Sequence, residues 1–168
     1  MSLLPNFIPS PERERWLSEH VPYHIKMLEG LDAFVATGGR TGPLEPVFPS
    51  IFESALIACR WSGNFLGLRE FKGVLCPIRK RYARGGDVFS VDLGGTLVDP
   101  NSLIKSEAAM LGCVLLGANV ATAHPTKEGI HPMTWDDVRF AAPFLIRQIK
   151  LHLYDVLDLR VAEWKRSK

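Results

Sequence analysis

The stretch AAMLGCVLLGA, residues 108–118, contains no charged side chain, and none occurs between Glu107 and His124. A helix that is apolar on every side lies inside a helical bundle or a membrane. This one is shorter than the ~20 residues needed to span a bilayer. It therefore predicts the central helix of a helical core, over residues 102–124, with Ser102 as its N-cap. Such a helix would bring Asn119 and His124 to one end of a groove.

Three further helices are predicted around this one, over residues 11–37, 50–66 and 134–164. The first and the last carry apolar side chains at alternating three- and four-residue steps, which is the period of a helix face. The last begins with a capping box at Thr134–Asp137, and Pro22 and Pro143 are expected to kink the first and last helices. The expected fold class is all-α: a four-helix up-and-down bundle forming a single domain over residues 1–168.

The long insertion at residues 67–101, between the second and third predicted helices, is rich in glycine and proline. Its runs 73–78 and 87–93 predict either a small hairpin or plain loop. Residues 69–84 hold six cations against one acid, Glu70. We identify a candidate nucleic-acid-binding cluster there, for which a solvated loop is the alternative: Arg79, Lys80, Arg81 and Arg84. If the cluster binds RNA, affinity should fall steeply with added salt.

Composition limits the possible classes of function. The chain has 168 residues, 46% apolar residues and a formal charge of only +2, so an electrostatic argument must rest on local clusters. The first ten residues lack the pattern of a signal peptide, and no stretch predicts a membrane span, so a cytoplasmic location is expected. Three cysteines without metal-type spacing are expected to be small buried hydrophobes: Cys59, Cys76 and Cys113.

The histidines allow more than one role. His20 and His24 have the four-residue spacing of a chelating pair, but Pro22 disturbs the helix between them and no third ligand is evident. We therefore predict no metal site and no cofactor, and a core position for His24 and His152. His124, at the end of the central helix, has two possible roles: a general acid–base near neutral pH, or a helix C-cap.

Four features together resemble the HEPN family of small helical domains, over roughly residues 10–160. They are Phe52-Glu53-Ser54-Ala55-Leu56 with Arg60 in the second helix, the stretch Asp87–Gly94, the sequence Ala118-Asn119 followed by His124-Pro125, and the long last helix. The resemblance implies a helical bundle that pairs into a homodimer through the end of its third helix. Many members are ribonucleases whose motif is an arginine, a polar residue and, a few residues later, a histidine.

This chain departs from that motif, since Ala118 stands where the arginine is expected. Without a cation there, the developing charge on a scissile phosphate is not stabilised. The resemblance then implies a catalytically reduced module that binds a nucleotide, an RNA or a partner protein. One alternative is an active metal-independent ribonuclease with His124, Asn119 and Arg60 as catalytic residues. Another is a purely structural or dimerising bundle.

Overall fold

The computed structural model describes residues 8–39, 42–78, 86–123 and 134–163. Within these ranges the chain is mostly helical, with one small two-stranded sheet. The helices are α1 (Ser10–Arg15), α2 (Val21–Ala36), α3 (Phe48–Phe65), α4 (Lys105–Ala123) and α5 (Trp135–Ile149), and the strands are β1 (Leu68–Phe71) and β2 (Val74–Pro77). Two π-helical segments join α1 to α2 and extend α5: Trp16–His20 and Lys150–Tyr154. The expectation of a mostly helical fold is confirmed.

The core lies among the four longer helices. α2 packs on α3 and α5, α4 also packs on α3 and α5, and α3 meets α5. Every one of these helices contributes fully buried side chains, among them Leu28, Leu56, Leu111 and Leu145. The stripes that predicted the helices are thus the faces that pack together, while the up-and-down order of the bundle stays a prediction.

The central helix α4 is covered on more than its helical side. Four residues of α4 are buried in the core: Leu111, Val114, Leu115 and Ala118. Gly112 lies against the β1–β2 hairpin, where a Cβ atom at position 112 would be 3.5 Å from the Gly73 carbonyl oxygen. The hairpin therefore explains why α4 can be apolar all round. No helix within the described ranges is both long enough and apolar enough to cross a bilayer.

The hairpin lies earlier in the chain than predicted. Leu68 pairs with Pro77, and Phe71 pairs with Val74 across a two-residue turn. Both turn residues, Lys72 and Gly73, have positive φ angles of 54° and 77°, which a type I′ turn requires and which matches the twist of the strands. The second expected run forms no strand, because residues 90–93 close into a 3₁₀ turn in which Asp92 accepts a hydrogen bond from the Phe89 amide.

Two helix boundaries differ from the prediction. Ser102 is not the N-cap of α4; it ends a 3₁₀ turn, where its hydroxyl donates to the Asp99 carbonyl, and α4 begins at Lys105. The last helical segment ends at Tyr154 instead of residue 164, since the chain turns at Asp158, which has a φ angle of 53°. The turn lets Leu157 and Val161 pack back onto the core. The Thr134–Asp137 capping box is confirmed.

Pro22 changes the first helix without ending it. Before the proline, the Val21 amide donates to the Trp16 carbonyl five residues back, in a π-type hydrogen bond. The next such bond, to the Leu17 carbonyl, would need an amide hydrogen that Pro22 lacks. The buried Tyr154 hydroxyl donates to this carbonyl at 2.9 Å instead. At Pro143, by contrast, α5 continues without interruption to Ile149.

We expect Leu115→Ala to lower the free energy of unfolding by about 2–5 kcal/mol, because it opens a cavity in a packed core. Leu115 is 2% exposed, and its side chain contacts the backbone of α3 at Gly63. Urea denaturation at pH 7 measures the loss. The matched control is Leu151→Ala, whose side chain is 51% exposed and should change stability by less than about 0.5 kcal/mol. Equal effects of the two variants would contradict the placement of α4.

Candidate functional site

A cleft of about 550 Å³ opens where α3, the hairpin and α4 meet. Its volume is in the range of small-molecule pockets. The first π-segment, residues 86–89 and the residue after β2 complete its wall. The lining residues are Trp16, Arg60, Trp61, Asn64, Phe65, Arg69, Glu70, Ile78, Gly86, Asp87, Val88, Phe89 and Asn119. The cleft thus combines apolar walls with several polar side chains, as binding sites for small organic ligands do.

Charged groups of both signs lie in the cleft. Arg60 enters from α3 and Arg69 from β1, whereas Glu70 and Asp87 bring two carboxylates. The Glu70 carboxylate accepts a hydrogen bond from the Gly73 amide and so also fixes the hairpin turn. The formal charges of the described lining residues balance. The described part of the cleft is thus lined by residues of both charges.

Aromatic rings form the wall beside these charges. The Trp61 ring lies 3.8 Å from the His24 ring and 4.8 Å from the Phe65 ring, centroid to centroid, with interplanar angles of 9° and 10°. The Trp16 ring is nearly parallel to Trp61 at 6.4 Å, and His20 packs on Trp16 at 4.8 Å. Aromatic pairs at these distances are stabilising beyond their buried area. Trp16 and Trp61 are consequently held in place by the rings packed against them, of which Phe65 also lines the cleft.

His24 supports Trp61 in its neutral form. Burial lowers the pKa of His24 to about 4, with a further lowering by the charge of His20. Its Nδ1 atom is buried and has no hydrogen-bond partner in the part of the chain that the structure describes. His24 is thus a partly buried packing partner of Trp61 and not a fully buried core residue. Across the described residues, no group of three or more His, Cys, Asp or Glu side chains is arranged to hold a metal ion.

Two of the three predicted catalytic residues lie in this one cleft. Arg60 and Asn119, from α3 and α4, both line it. Ala118, at the position where the resembling motif has arginine, is fully buried in the core instead. His124 and the predicted nucleic-acid-binding residues lie outside the described residues: Arg79, Lys80, Arg81 and Arg84. Their roles stay predictions.

Several lining residues were not predicted from sequence. Asn64 follows Arg60 by one helical turn, so the polar face of α3 was a sufficient signal for it. Arg69 belongs to the basic run of residues 69–84 and Asp87 to the stretch Asp87–Gly94, but neither pattern assigns the residue to this cleft. Trp16 gave no signal, because its direction depends on the π-segment in which it lies.

The cysteines behave as small hydrophobes to different degrees. Cys59 is fully buried in α3, and burial raises the pKa of its thiol to about 12. Cys113 and Cys76 are only partly buried, and all three thiols are free. Burial, followed by the nearby Asp137 carboxylate, also raises the pKa of Cys113. A raised pKa disfavours the reactive thiolate, so none of this points to a cysteine nucleophile at the cleft.

No protein-family model, no curated protein and no solved structure matches this chain. The function must therefore be inferred from the site itself.

We expect His24 to make the protein less stable as the pH falls from 6.5 to 4. The unfolded state binds a proton in this range while folded His24, with its lowered pKa, does not, so acid favours unfolding. The loss should be roughly 1–3 kcal/mol after allowance for the solvent-exposed part of the ring. His24→Phe keeps an aromatic ring against Trp61 without a titrating group. Urea denaturation of both proteins across this pH range should show that the wild type loses more stability than His24→Phe as the pH falls; parallel curves would contradict the assignment.

Proposed function

We propose that this chain is a catalytically reduced, HEPN-like module that binds a nucleotide in the cleft between α3, β1 and α4. The observation that carries the proposal is the joint presence of Arg60, Asn119 and Arg69 in one cleft walled by Trp16 and Trp61. Cations, amides and flat aromatic surfaces are the groups that bind phosphates and bases.

Each part of a nucleotide finds suitable chemistry. An arginine presents a planar fork of N–H donors to a phosphate, and Arg60 and Arg69 both line the cleft. The amides of Asn64 and Asn119 can donate to and accept from a base edge. A carboxylate such as Asp87 can accept hydrogen bonds from ribose hydroxyls or exocyclic amines.

The burial of Ala118 supports the catalytically reduced form of the proposal. Ala118 is 0% exposed while its neighbour Asn119 lines the cleft. Successive helix residues point about 100° apart, so an arginine at 118 would enter the core instead of the cleft. The cation at this site must then come from α3 or β1, at positions different from that of the resembling motif.

We expect Arg60→Ala to weaken the binding of adenosine or uridine 5′-monophosphate by about 1.5–3 kcal/mol, the usual value of a hydrogen bond to a charged group. Isothermal titration calorimetry at low salt measures it. The control is Arg147→Ala on α5, which removes the same charge from a residue that pairs with Glu107 and does not line the cleft. Absence of binding by the wild-type protein, or an equal loss in the control, would contradict the proposal.

A metal-independent ribonuclease is the second candidate, favoured by the meeting of Arg60 and Asn119 in one cleft. We expect no cleavage of RNA by the wild-type protein in EDTA, because no arginine stands at position 118. If His124 is instead a helix C-cap, His124→Ala should lower stability by a few tenths to about 2 kcal/mol. Cleavage that disappears in both His124→Ala and Arg60→Ala, with little change in melting temperature, would establish the ribonuclease.

Other features of the predicted function rest on sequence alone. A homodimer formed through the end of α4, a partner protein and a cytoplasmic location stay predictions, as does RNA binding by the basic residues 79–84. A structural bundle without a ligand is the remaining alternative, and the titration with monophosphates tests it directly.

A further inference from the structure

The outer face of the β1–β2 hairpin points away from α4. Side chains alternate between the two faces of a strand, so Leu68 and Leu75, which are buried, mark the inner face toward α4. The alternation and the strand register place four residues on the outer face: Arg69, Phe71, Val74 and Cys76.

Phe71 and Val74 form an exposed apolar pair on this face. They are register partners, and their side chains are 52% and 64% exposed. Two cations flank the Phe71 ring: the Arg69 guanidinium carbon lies 5.2 Å and the Lys72 ammonium nitrogen 5.5 Å from its centroid. The exposed ring is thus flanked by positive charge. This combination favours a partner that carries both negative charge and flat apolar surfaces.

The same face is continuous with the cleft. Arg69 lies on the outer face of β1 two residues from Phe71, and it also lines the cleft. Two residues along a strand span roughly 7 Å. A chain of nucleotides with one unit in the cleft would therefore pass Arg69 and reach the Phe71 ring.

We propose that the surface formed by Arg69, Phe71 and Lys72 is a second nucleotide subsite, so that the ligand is a single-stranded oligonucleotide and not only a free mononucleotide. The inference rests on the proposed function for its first subsite. A base stacks on the Phe71 ring beside Val74, and the two cations contact the adjoining phosphates. Stacking of bases on exposed aromatic side chains, next to cations that follow the backbone, is how sequence-tolerant single-strand binding is built.

The test compares uridine 5′-monophosphate with hexauridylate at one fixed low salt concentration. Phe71→Ala should weaken hexauridylate binding roughly 5- to 150-fold, the range for one lost base–aromatic stack, and leave monophosphate binding unchanged. The matched control is Phe140→Ala, which removes an equally large ring that is 69% exposed on α5; it should change neither affinity. Melting temperatures of both variants should stay near that of the wild type.

Two further variants separate stacking from bulk and folding. Phe71→Trp should keep or strengthen hexauridylate binding, because it offers a larger ring, whereas Phe71→Leu should weaken it although it preserves apolar volume. Equal affinities of the Trp and Leu variants would overturn the stacking assignment.

The remaining outcomes distinguish the two proposals. In the first outcome, monophosphate binds, Arg60→Ala weakens its binding, and Phe71→Ala leaves the affinity for hexauridylate unchanged. The second subsite is then overturned, and the proposal that the cleft binds a nucleotide is supported. If monophosphate fails to bind but Phe71→Ala weakens hexauridylate, the subsite is supported and the cleft proposal fails. If neither ligand binds, both are overturned. If sedimentation shows a dimer that Phe71→Ala converts to a monomer, the face joins two copies of the chain and the subsite is overturned.

Discussion

The need to cover α4 governs the rest of this structure. Its apolar side chains point in every direction, and burying them is the main favourable term in folding. The helices α3 and α5 cover the sides that hold Leu111 and Leu115, and the hairpin covers the side of Gly112. The hairpin backbone at Gly73 and Leu75 lies within van der Waals range of α4 at this position. The hairpin is therefore part of the core as well as an insertion.

The cleft is a consequence of that arrangement. Where the hairpin leaves α4, the polar face of α3 is exposed beside it, and this brings Arg60 opposite the strand that carries Arg69. Trp61, between the core and the cleft, is held by His24 on one hand and Phe65 on the other. The aromatic wall is packed in place, whereas arginine side chains are long and have several rotatable bonds. The site is therefore pre-organised in its apolar part and adaptable in its polar part.

The sequence was sufficient where composition or one helix period decided the answer. The uncharged stretch 108–118 predicted the central helix, whose Leu111 and Leu115 are buried, and Arg60 was named as a candidate site residue that lines the cleft. It could not place Trp16, because the number of residues per turn changes in the π-segment. It missed the first strand of the hairpin, because Leu68–Phe71 contains the charged residues Arg69 and Glu70 and is not an apolar run, so that only its pairing with Val74–Pro77 reveals it.

The π-segment before Pro22 has an effect like that of one residue inserted into a continuous helix. An extra residue turns everything before it by about 100° around the helix axis. The part from Val21 onward faces the core, while the rotated part before it turns Trp16 to the cleft and lets the Arg13 Nε donate to the Leu93 carbonyl at 2.7 Å. The continuous helix thus consists of two segments whose side chains face different directions around the helix axis. The length of the π-segment sets the rotation between these two directions.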